Sequence, residues 1–240
     1  MFKRIRKIIE ANNKAHKINH NQLKELEWAH IYHDSIRGKK WLEELPLNVG
    51  RWAGNYAFFY VLNRILNEYK PKSIIEFGLG ESSKFISTCI DNHISESKHV
   101  IVEQSKEWSD AFCGNFKLSV NSEIEICNMV TKRVKGFESN GYENIEKLID
   151  KKFDFYIVDG PFGSKNYSRF DIVQFAENLN ANDEFIIIID DFQRVGEQQT
   201  FKHLEGLFDS KGIVIHTKMY SGNKDFMVLA TNSYKYVTSF

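Results

Sequence analysis

The chain of 240 residues has only three prolines, only three cysteines and no net charge. So few prolines argue against long extended linkers, and a chain of this length suits one α/β domain with an N-terminal extension. The cysteines Cys89, Cys113 and Cys127 are odd in number and include no C-x-x-C pair. This pattern is not that of a disulfide framework, and it predicts reduced, mostly buried thiols.

Long apolar runs are also absent from the sequence. The longest purely aliphatic run, Ile186–Ile189, is far too short to span a bilayer. The first ten residues are basic and lack the apolar core of a signal peptide. We therefore expect a soluble, cytoplasmic protein.

The zero net charge hides an asymmetry along the chain. Residues 1–40 carry ten Lys/Arg and four Asp/Glu, a net charge of +6, so the remaining residues carry −6. This balance argues against a basic nucleic-acid-binding protein. Residues 1–20 are predicted to form a basic amphipathic helix with Phe2, Ile5, Ile8 and Ile9 on one side. Such a helix packs on its own domain, on a partner, or on anionic lipid at the inner membrane face.

From residue 73 onward, strand-like and helix-like segments alternate. The seven strand-like segments are 73–78, 99–104, 123–130, 153–160, 184–191, 213–220 and 225–231. The helix-like segments that follow the first five of them are 83–93, 106–116, 142–151, 169–179 and 196–210. This alternation predicts parallel strands with helices on both faces, whereas the short link between the last two strands requires an antiparallel hairpin.

The sequence therefore predicts an α/β fold with a doubly wound, Rossmann-like sheet of seven strands, mostly parallel with an antiparallel C-terminal hairpin. We assign this domain to residues 71–240 and a helical extension, with helices at 23–36 and 56–66, to residues 1–70. Ligands of such sheets bind at the carboxyl ends of the strands, so the residues that follow the strands are the candidates for function.

The first strand leads into a glycine-rich turn, Glu76-Phe-Gly78-Leu-Gly80-Glu-Ser82-Ser83. Glycines let the backbone bend sharply and approach a ligand, and the start of the next helix presents unpaired N–H groups. The turn is a weak match to the dinucleotide fingerprint because Ser83 stands in place of the third glycine. Glu103, after the second strand, can accept hydrogen bonds from both hydroxyls of a ribose, or it can cap the following helix.

Aspartates follow the fourth and fifth strands. Asp159 precedes a Gly-Pro-Phe-Gly turn, and Asp190 and Asp191 end the next strand. These carboxylates can hold a hard divalent cation that acidifies a hydroxyl, or one of them can act as a general base. With neither function, Asp191 would cap the next helix and Asp159 would stabilise its turn.

The glycine-rich turn resembles the acid-x-Gly-x-Gly-x-(Gly/Ser) turn of class I methyltransferases that use S-adenosylmethionine, and the closing hairpin is similar to theirs. This resemblance implies S-adenosylmethionine as the cofactor. It also implies that the residues which bind the cofactor are Glu76, Gly78, Gly80, Ser82, Glu103 and Asp159.

Metal-dependent O-methyltransferases of the catechol type are similar in the aspartates. They carry Asp after the fourth strand and Asp-Asn after the fifth, which implies a metal bound by Asp159, Asp190 and Asp191, with Asp191 in place of Asn. Their lysine three residues after the first aspartate corresponds to Phe162. Lys165, the nearest lysine, is therefore the candidate to act with Asp159 in catalysis, although the family's assignment of the base does not transfer to it.

Glucuronoxylan-type polysaccharide O-methyltransferases are similar over residues 70–200. The shared features are the glycine-rich turn, Trp108 after the second-strand acid, the Val-Asp-Gly-Pro sequence at 158–161 and the Asp-rich fifth strand. This resemblance implies a carbohydrate hydroxyl as the methyl acceptor. We expect Trp108 to lie in the core, and Tyr167 and Arg169 to bind a carboxylated or phosphorylated sugar unless their loop is simply solvated.

The sequence thus predicts an S-adenosylmethionine-dependent O-methyltransferase that acts on a hydroxyl of a sugar or polysaccharide precursor, with or without a divalent cation such as Mg²⁺ or Mn²⁺. Two other classes stay open: an NAD-dependent oxidoreductase, and a non-catalytic module that has kept the fold to bind a partner. We expect a small-molecule or glycan acceptor and no nucleic acid, and a homodimer stays open.

Overall fold

The computed structural model describes residues 2–50 and 52–240, and its first elements are three helices. They are α1 (Phe2–Ile36), α2 (Lys40–Glu43) and α3 (Tyr56–Glu68). The separate helices predicted at 1–20 and 23–36 are one continuous helix in the described residues, because no glycine or proline interrupts the sequence before Gly38. None of the described helices is long and apolar enough to cross a membrane.

A seven-stranded sheet follows and confirms the predicted fold class. Its strands are β1 (Ser73–Phe77), β2 (Lys98–Glu103), β3 (Ser122–Ile126), β6 (Phe155–Val158), β7 (Ile186–Ile189), β8 (His216–Ser221) and β9 (Asp225–Ala230). The labels β4 and β5 belong to a separate hairpin described below. The order across the sheet is β3-β2-β1-β6-β7-β9-β8. The first five strands are parallel, and β9 runs antiparallel to both of its neighbours.

Helices cover both faces of the sheet. The remaining helices are α4 (Glu81–Asn92), α5 (Lys106–Asn115), α6 (Asp171–Glu177) and α7 (Val195–Ser210), followed by a 3-10 helix at Asn232–Ser239. Successive strand residues point to opposite faces: Ile74 packs with α3 and α4, whereas Ile75 packs with α6 and α7. Tyr32 and Ile36 of α1 belong to the first of these cores, so the N-terminal helices pack on the sheet.

The chain between β3 and β6 differs from the sequence-based prediction. Strand β3 ends at Ile126, and a separate antiparallel hairpin follows, formed by β4 (Met129–Val134) and β5 (Phe137–Tyr142). Its turn, Lys135-Gly136, has positive φ angles of 50° and 86°, as tight hairpin turns require. The helix predicted at 142–151 is wrong: Tyr142 ends β5, and the only helical turn there is the 3-10 helix Ile145–Leu148.

The order of the strands determines where a ligand can bind. The chain moves outward from β1 through β2 to β3, and it then returns to the other side of β1 with β6 and β7. The crevice between β1 and β6, at the carboxyl ends of the strands, is therefore a topological switch point, where ligands of open α/β sheets bind.

Candidate functional site

The glycine-rich turn lies against the loop that follows β6. Gly78 has φ = +101°, a conformation that favours glycine, and a Cβ atom there would lie 3.4 Å from the backbone carbonyl carbon of Asp159. A Cβ atom at Gly160 would lie 2.3 Å from Oη of Tyr142 and 2.9 Å from N of Gly78. The two glycines therefore allow the β1 and β6 strand ends to meet.

Glu76 holds this turn together from within the protein. Its buried carboxylate accepts hydrogen bonds from the hydroxyls of Ser82 and Ser83, the latter at 2.7 Å, and lies 3.1 Å from Nε2 of His99. These contacts join β1, the start of α4 and β2. In this conformation Glu76 and Ser82 shape the turn, and their binding of a cofactor stays a prediction.

Glu103 connects the end of β2 to the same turn. Its Oε2 accepts a hydrogen bond from N of Leu79 at 3.0 Å, and its Oε1 accepts from N of Gln104 and of Ser105 at 2.7 and 2.8 Å. Trp108 donates its indole N–H to the carbonyl oxygen of Leu79 at 2.8 Å. The prediction of a core tryptophan is wrong, because Trp108 is 49% exposed and lies at the surface beside the turn.

The three predicted aspartates do come together at the ends of β6 and β7. One carboxylate oxygen each from Asp159, Asp190 and Asp191 lies within 4.8 Å of the other two. Asp190 and Asp191 are buried, whereas the side chain of Asp159 is 28% exposed. Both oxygens of Asp190 lack a hydrogen-bond partner in the part of the chain that the structure describes.

Two basic side chains enter this cluster. Arg169 is 4% exposed, and its guanidinium Nη2 lies 3.0 Å from Oδ1 of Asp159 and 2.9 Å from Oδ2 of Asp191. Lys224 Nζ lies 3.5 Å from Oδ2 of Asp190 and 3.5 Å from Oδ1 of Asp191. The sequence predicts that Arg169 faces a substrate, but its guanidinium points inward and forms ion pairs with the aspartates.

The surroundings move the aspartate pKa values in different directions. Burial raises the pKa of Asp159, and the neighbouring Asp190 raises it further. Burial also raises the pKa of Asp190. Burial opposes ionisation of Asp191 as well, but the charges of Arg169 and Lys224 hold its pKa below the usual value. A lowered pKa keeps Asp191 ionised at neutral pH. Of the two aspartates with a raised pKa, Asp159 is the one whose side chain is partly exposed.

The loop after Asp159 carries the other predicted residues. Lys165 is exposed and forms no ion pair within residues 2–50 and 52–240. Tyr167 is half-buried, and its ring packs against Phe137 and Phe170 with centroids 5.9 and 5.8 Å away. The loop does not bring Lys165 to the cluster, and the catalytic role of Lys165 and the substrate contact of Tyr167 stay predictions.

Sequence reasoning missed Lys224, the lysine that does reach the cluster. It lies in the turn between β8 and β9, whose sequence by itself indicates only an antiparallel hairpin. Because β9 pairs with β7, this turn lies beside Asp190 and Asp191. The signal was the predicted hairpin itself, whose position next to the fifth predicted strand would have placed Lys224 near these residues.

No protein-family model matches the chain, and no curated protein matches it. Solved structures match it in fold, and the topology described above is that of class I methyltransferases. An O-methyltransferase from Bacillus cereus, in complex with S-adenosylhomocysteine, is 13% identical with a TM-score of 0.59, over 90% of this chain and 100% of that one.

Two further structures have the same fold. The O-methyltransferase TomG from Streptomyces achromogenes, involved in tomaymycin synthesis and in complex with S-adenosylmethionine, is 12% identical with a TM-score of 0.53, over 85% of this chain and 88% of that one. A putative caffeoyl-CoA O-methyltransferase from Staphylococcus aureus is 12% identical with a TM-score of 0.52, over 88% of this chain and 100% of that one. At these identities the likeness establishes the fold alone.

Proposed function

We propose that the chain is an S-adenosylmethionine-dependent O-methyltransferase. One observation carries this proposal. The glycine-rich turn, Glu103 and the aspartate cluster lie together at the topological switch point of a sheet with the class I methyltransferase fold. Two features of the residues present fit the cofactor. A Cβ atom at Gly80 would have no protein neighbour within 4 Å, so the turn is open there. The Glu103 carboxylate accepts three backbone N–H bonds and has capacity for one more, which a ribose hydroxyl can fill.

The chain's own residues supply the rest of the chemistry. S-adenosylmethionine, when bound, supplies an activated methyl group. The protein's task is to hold an acceptor hydroxyl in line with that group and to accept its proton. Asp159 is suited to accept the proton because its pKa is raised by burial and its side chain is partly exposed at the mouth of the cluster.

A sugar is the acceptor that we propose. Trp52 is 94% exposed, and its carbonyl oxygen accepts a hydrogen bond from Lys224 Nζ at 3.4 Å. The backbone of this tryptophan therefore lies beside the aspartate cluster, and its indole offers a flat apolar surface to the C–H face of a sugar ring. The sequence resemblance to polysaccharide O-methyltransferases supports the same class of acceptor.

The experiment is methyl transfer from labelled S-adenosylmethionine to a panel of oligosaccharides, with and without uronic acids, and of phenols and aliphatic alcohols as non-sugar hydroxyls. We expect transfer to at least one sugar, and we expect Asp159→Asn to lower kcat at least about a hundredfold, as loss of a general base does. Asp154→Asn, in the loop before β6, is the matched control and should keep its activity. Full activity of Asp159→Asn would refute the proton-accepting role, and transfer only to non-sugar hydroxyls would refute the acceptor.

For the N-terminal helix we propose a contact with an anionic membrane surface. Residues 3–20 of α1 are all exposed, so this part of the helix does not pack on its own domain. The segment carries six Lys/Arg and one Asp/Glu, and Ile5, Ile8 and Ile9 are each about half exposed or more. Exposed isoleucines beside cationic side chains suit the interface of an anionic bilayer.

A further inference from the structure

The residues of the aspartate cluster do not fit a divalent cation, although their number suits one. Three carboxylates whose oxygens approach within 4.8 Å could surround a hard ion, which needs oxygen ligands at about 2.0–2.6 Å. A small ion of this kind would have to lie between the oxygens. The structure has side-chain nitrogen atoms next to these same oxygens.

Arg169 lies among the aspartate oxygens that would have to bind a metal ion. One nitrogen of its guanidinium contacts two of the three aspartates, Asp159 and Asp191, at 3.0 and 2.9 Å. The other terminal nitrogen donates to the backbone carbonyl of Asp190 at 3.1 Å. An ion bound between Asp159 and Asp191 would have to displace this guanidinium, and a displaced buried cation would lose its partners at a high energetic cost.

Lys224 is the second cation at the cluster, and contacts away from the aspartates position it. Its ammonium donates to the carbonyl oxygen of Ala53 at 3.1 Å, and its own carbonyl accepts from Nδ2 of Asn55 at 3.0 Å. Glu25 of α1 accepts from N of Asn223 at 2.9 Å, next to Lys224 in the chain. Helix α1 and the segment before α3 thus fix the lysine beside Asp190 and Asp191.

The charges of the cluster are nearly balanced without a metal. The cluster consists of four carboxylates and three side-chain cations: Asp159, Asp190, Asp191, Glu197, Arg169, Arg194 and Lys224. The net charge with every group ionised is −1, and a divalent ion added to it would reverse the sign. A buried cluster with surplus positive charge would repel the cationic sulfonium of the cofactor proposed above.

We infer that Arg169 and Lys224 supply, from the chain itself, the positive charge that a divalent cation supplies in catechol-type O-methyltransferases. The inference rests on the proposed function for the role of the cluster in methyl transfer. Arg169 and Lys224 are positioning residues: they hold the aspartates in place and leave Asp159 free on its exposed side. This inference competes with the sequence-based expectation of a metal at Asp159, Asp190 and Asp191, and the titration below decides between them.

The test is a calorimetric titration of the full chain with MnCl₂, before and after saturation with S-adenosylmethionine. We expect no binding tighter than about 1 mM in the wild-type protein. Arg169→Gln removes the guanidinium from among the aspartates and should bind Mn²⁺ at least about tenfold more tightly than the wild type. Arg133→Gln, an exposed arginine of β4, is the matched control and should behave as the wild type.

Each outcome decides the inference. Mn²⁺ binding by the wild-type protein with a Kd below about 1 mM would overturn it. Because Arg169→Gln can fail to fold, Lys224→Gln is titrated as well. If both variants fold and neither binds Mn²⁺, the inference is also overturned, since removal of the cations would then open no metal site. A separate titration with S-adenosylmethionine in EDTA distinguishes the two proposals: its failure would refute the proposed function and leave the Mn²⁺ result unaffected.

Discussion

At the scale of single residues, Gly78 is the position at which the proposed cofactor site can be tested most directly. Its φ of +101° would strain any other residue by about 1–2 kcal/mol, and a side chain there would extend beside the β6 strand end. We expect Gly78→Arg to abolish binding of S-adenosylmethionine, measured by calorimetry, while the domain stays folded by circular dichroism.

The matched control for this variant is Gly212→Arg. Gly212 also has a positive φ, +66°, but it follows α7, and a Cβ atom there would have no neighbour within 4 Å. The control carries the same added charge and a similar backbone strain. If both variants bind equally well, the glycine-rich turn does not contact the cofactor.

The sequence predicted which residues lie at this site better than it predicted where their side chains point. The positions of Asp159, Asp190 and Asp191 follow from strand ends, because parallel strands bring their carboxyl ends to one edge of the sheet. The inward turn of Arg169 could not be predicted, because it depends on a left-handed backbone at φ = +55° and on packing that no local pattern encodes. The half-exposed Trp108 was missed for a related reason, since its hydrogen bond joins two distant turns.

At the scale of elements, the β4–β5 hairpin supports the loop that follows Asp159. Asn140 of β5 donates its side-chain amide to the carbonyl of Phe162 at 2.9 Å, and its backbone N–H donates to Oγ of Ser164 at 2.7 Å. Ser139 donates to the carbonyl of Tyr167 at 2.7 Å. The hairpin therefore holds loop 160–168 beside the aspartate cluster.

We expect Asn140→Ala to loosen this loop. Loss of one hydrogen bond costs about 1 kcal/mol, so amide hydrogen exchange in residues 162–168 should become about fivefold faster. Asn121→Ala, which removes a comparable side-chain bond to the carbonyl of Ser95, should leave exchange in this loop unchanged. Equal exchange rates in the loop of the wild type and of Asn140→Ala would contradict the supporting role.

The order of the strands and helices was predictable from the sequence, except for the β4–β5 hairpin. Alternation of β-branched runs and helical segments predicted the seven strands, and the short link before β9 predicted the antiparallel closure. The sequence does not predict the hairpin at 129–142, because the third predicted strand continues to residue 130 and the next predicted element begins only at 142. The signal present in the sequence was Gly136, which separates Met129–Val134, with three β-branched residues, from Phe137–Tyr142, which begins and ends with an aromatic residue.

At the scale of the whole molecule, the first twenty residues contribute little to the stability of the fold. Residues 3–20 are exposed, whereas Tyr32 and Ile36 near the end of α1 lie in the core. We expect removal of residues 1–20 to change the melting temperature by no more than about 2 °C, and to leave S-adenosylmethionine affinity unchanged.

The same variant tests the proposed membrane contact by co-sedimentation with phosphatidylserine vesicles. The full chain should bind these vesicles more strongly than neutral phosphatidylcholine vesicles, with about 1 kcal/mol from each Lys or Arg near the surface, and the shortened chain should not bind. Replacing Ile5, Ile8 and Ile9 together by serine in the full chain is the control that keeps the charge. Absence of vesicle binding by the full chain would refute the contact.

The account as a whole depends on which nucleotide the glycine-rich turn accepts. The most direct measurement is a calorimetric titration of the full chain with S-adenosylhomocysteine and, separately, with NAD. We predict one bound S-adenosylhomocysteine per chain and no detectable heat from NAD. Binding of NAD with no binding of S-adenosylhomocysteine would contradict the account and favour an oxidoreductase.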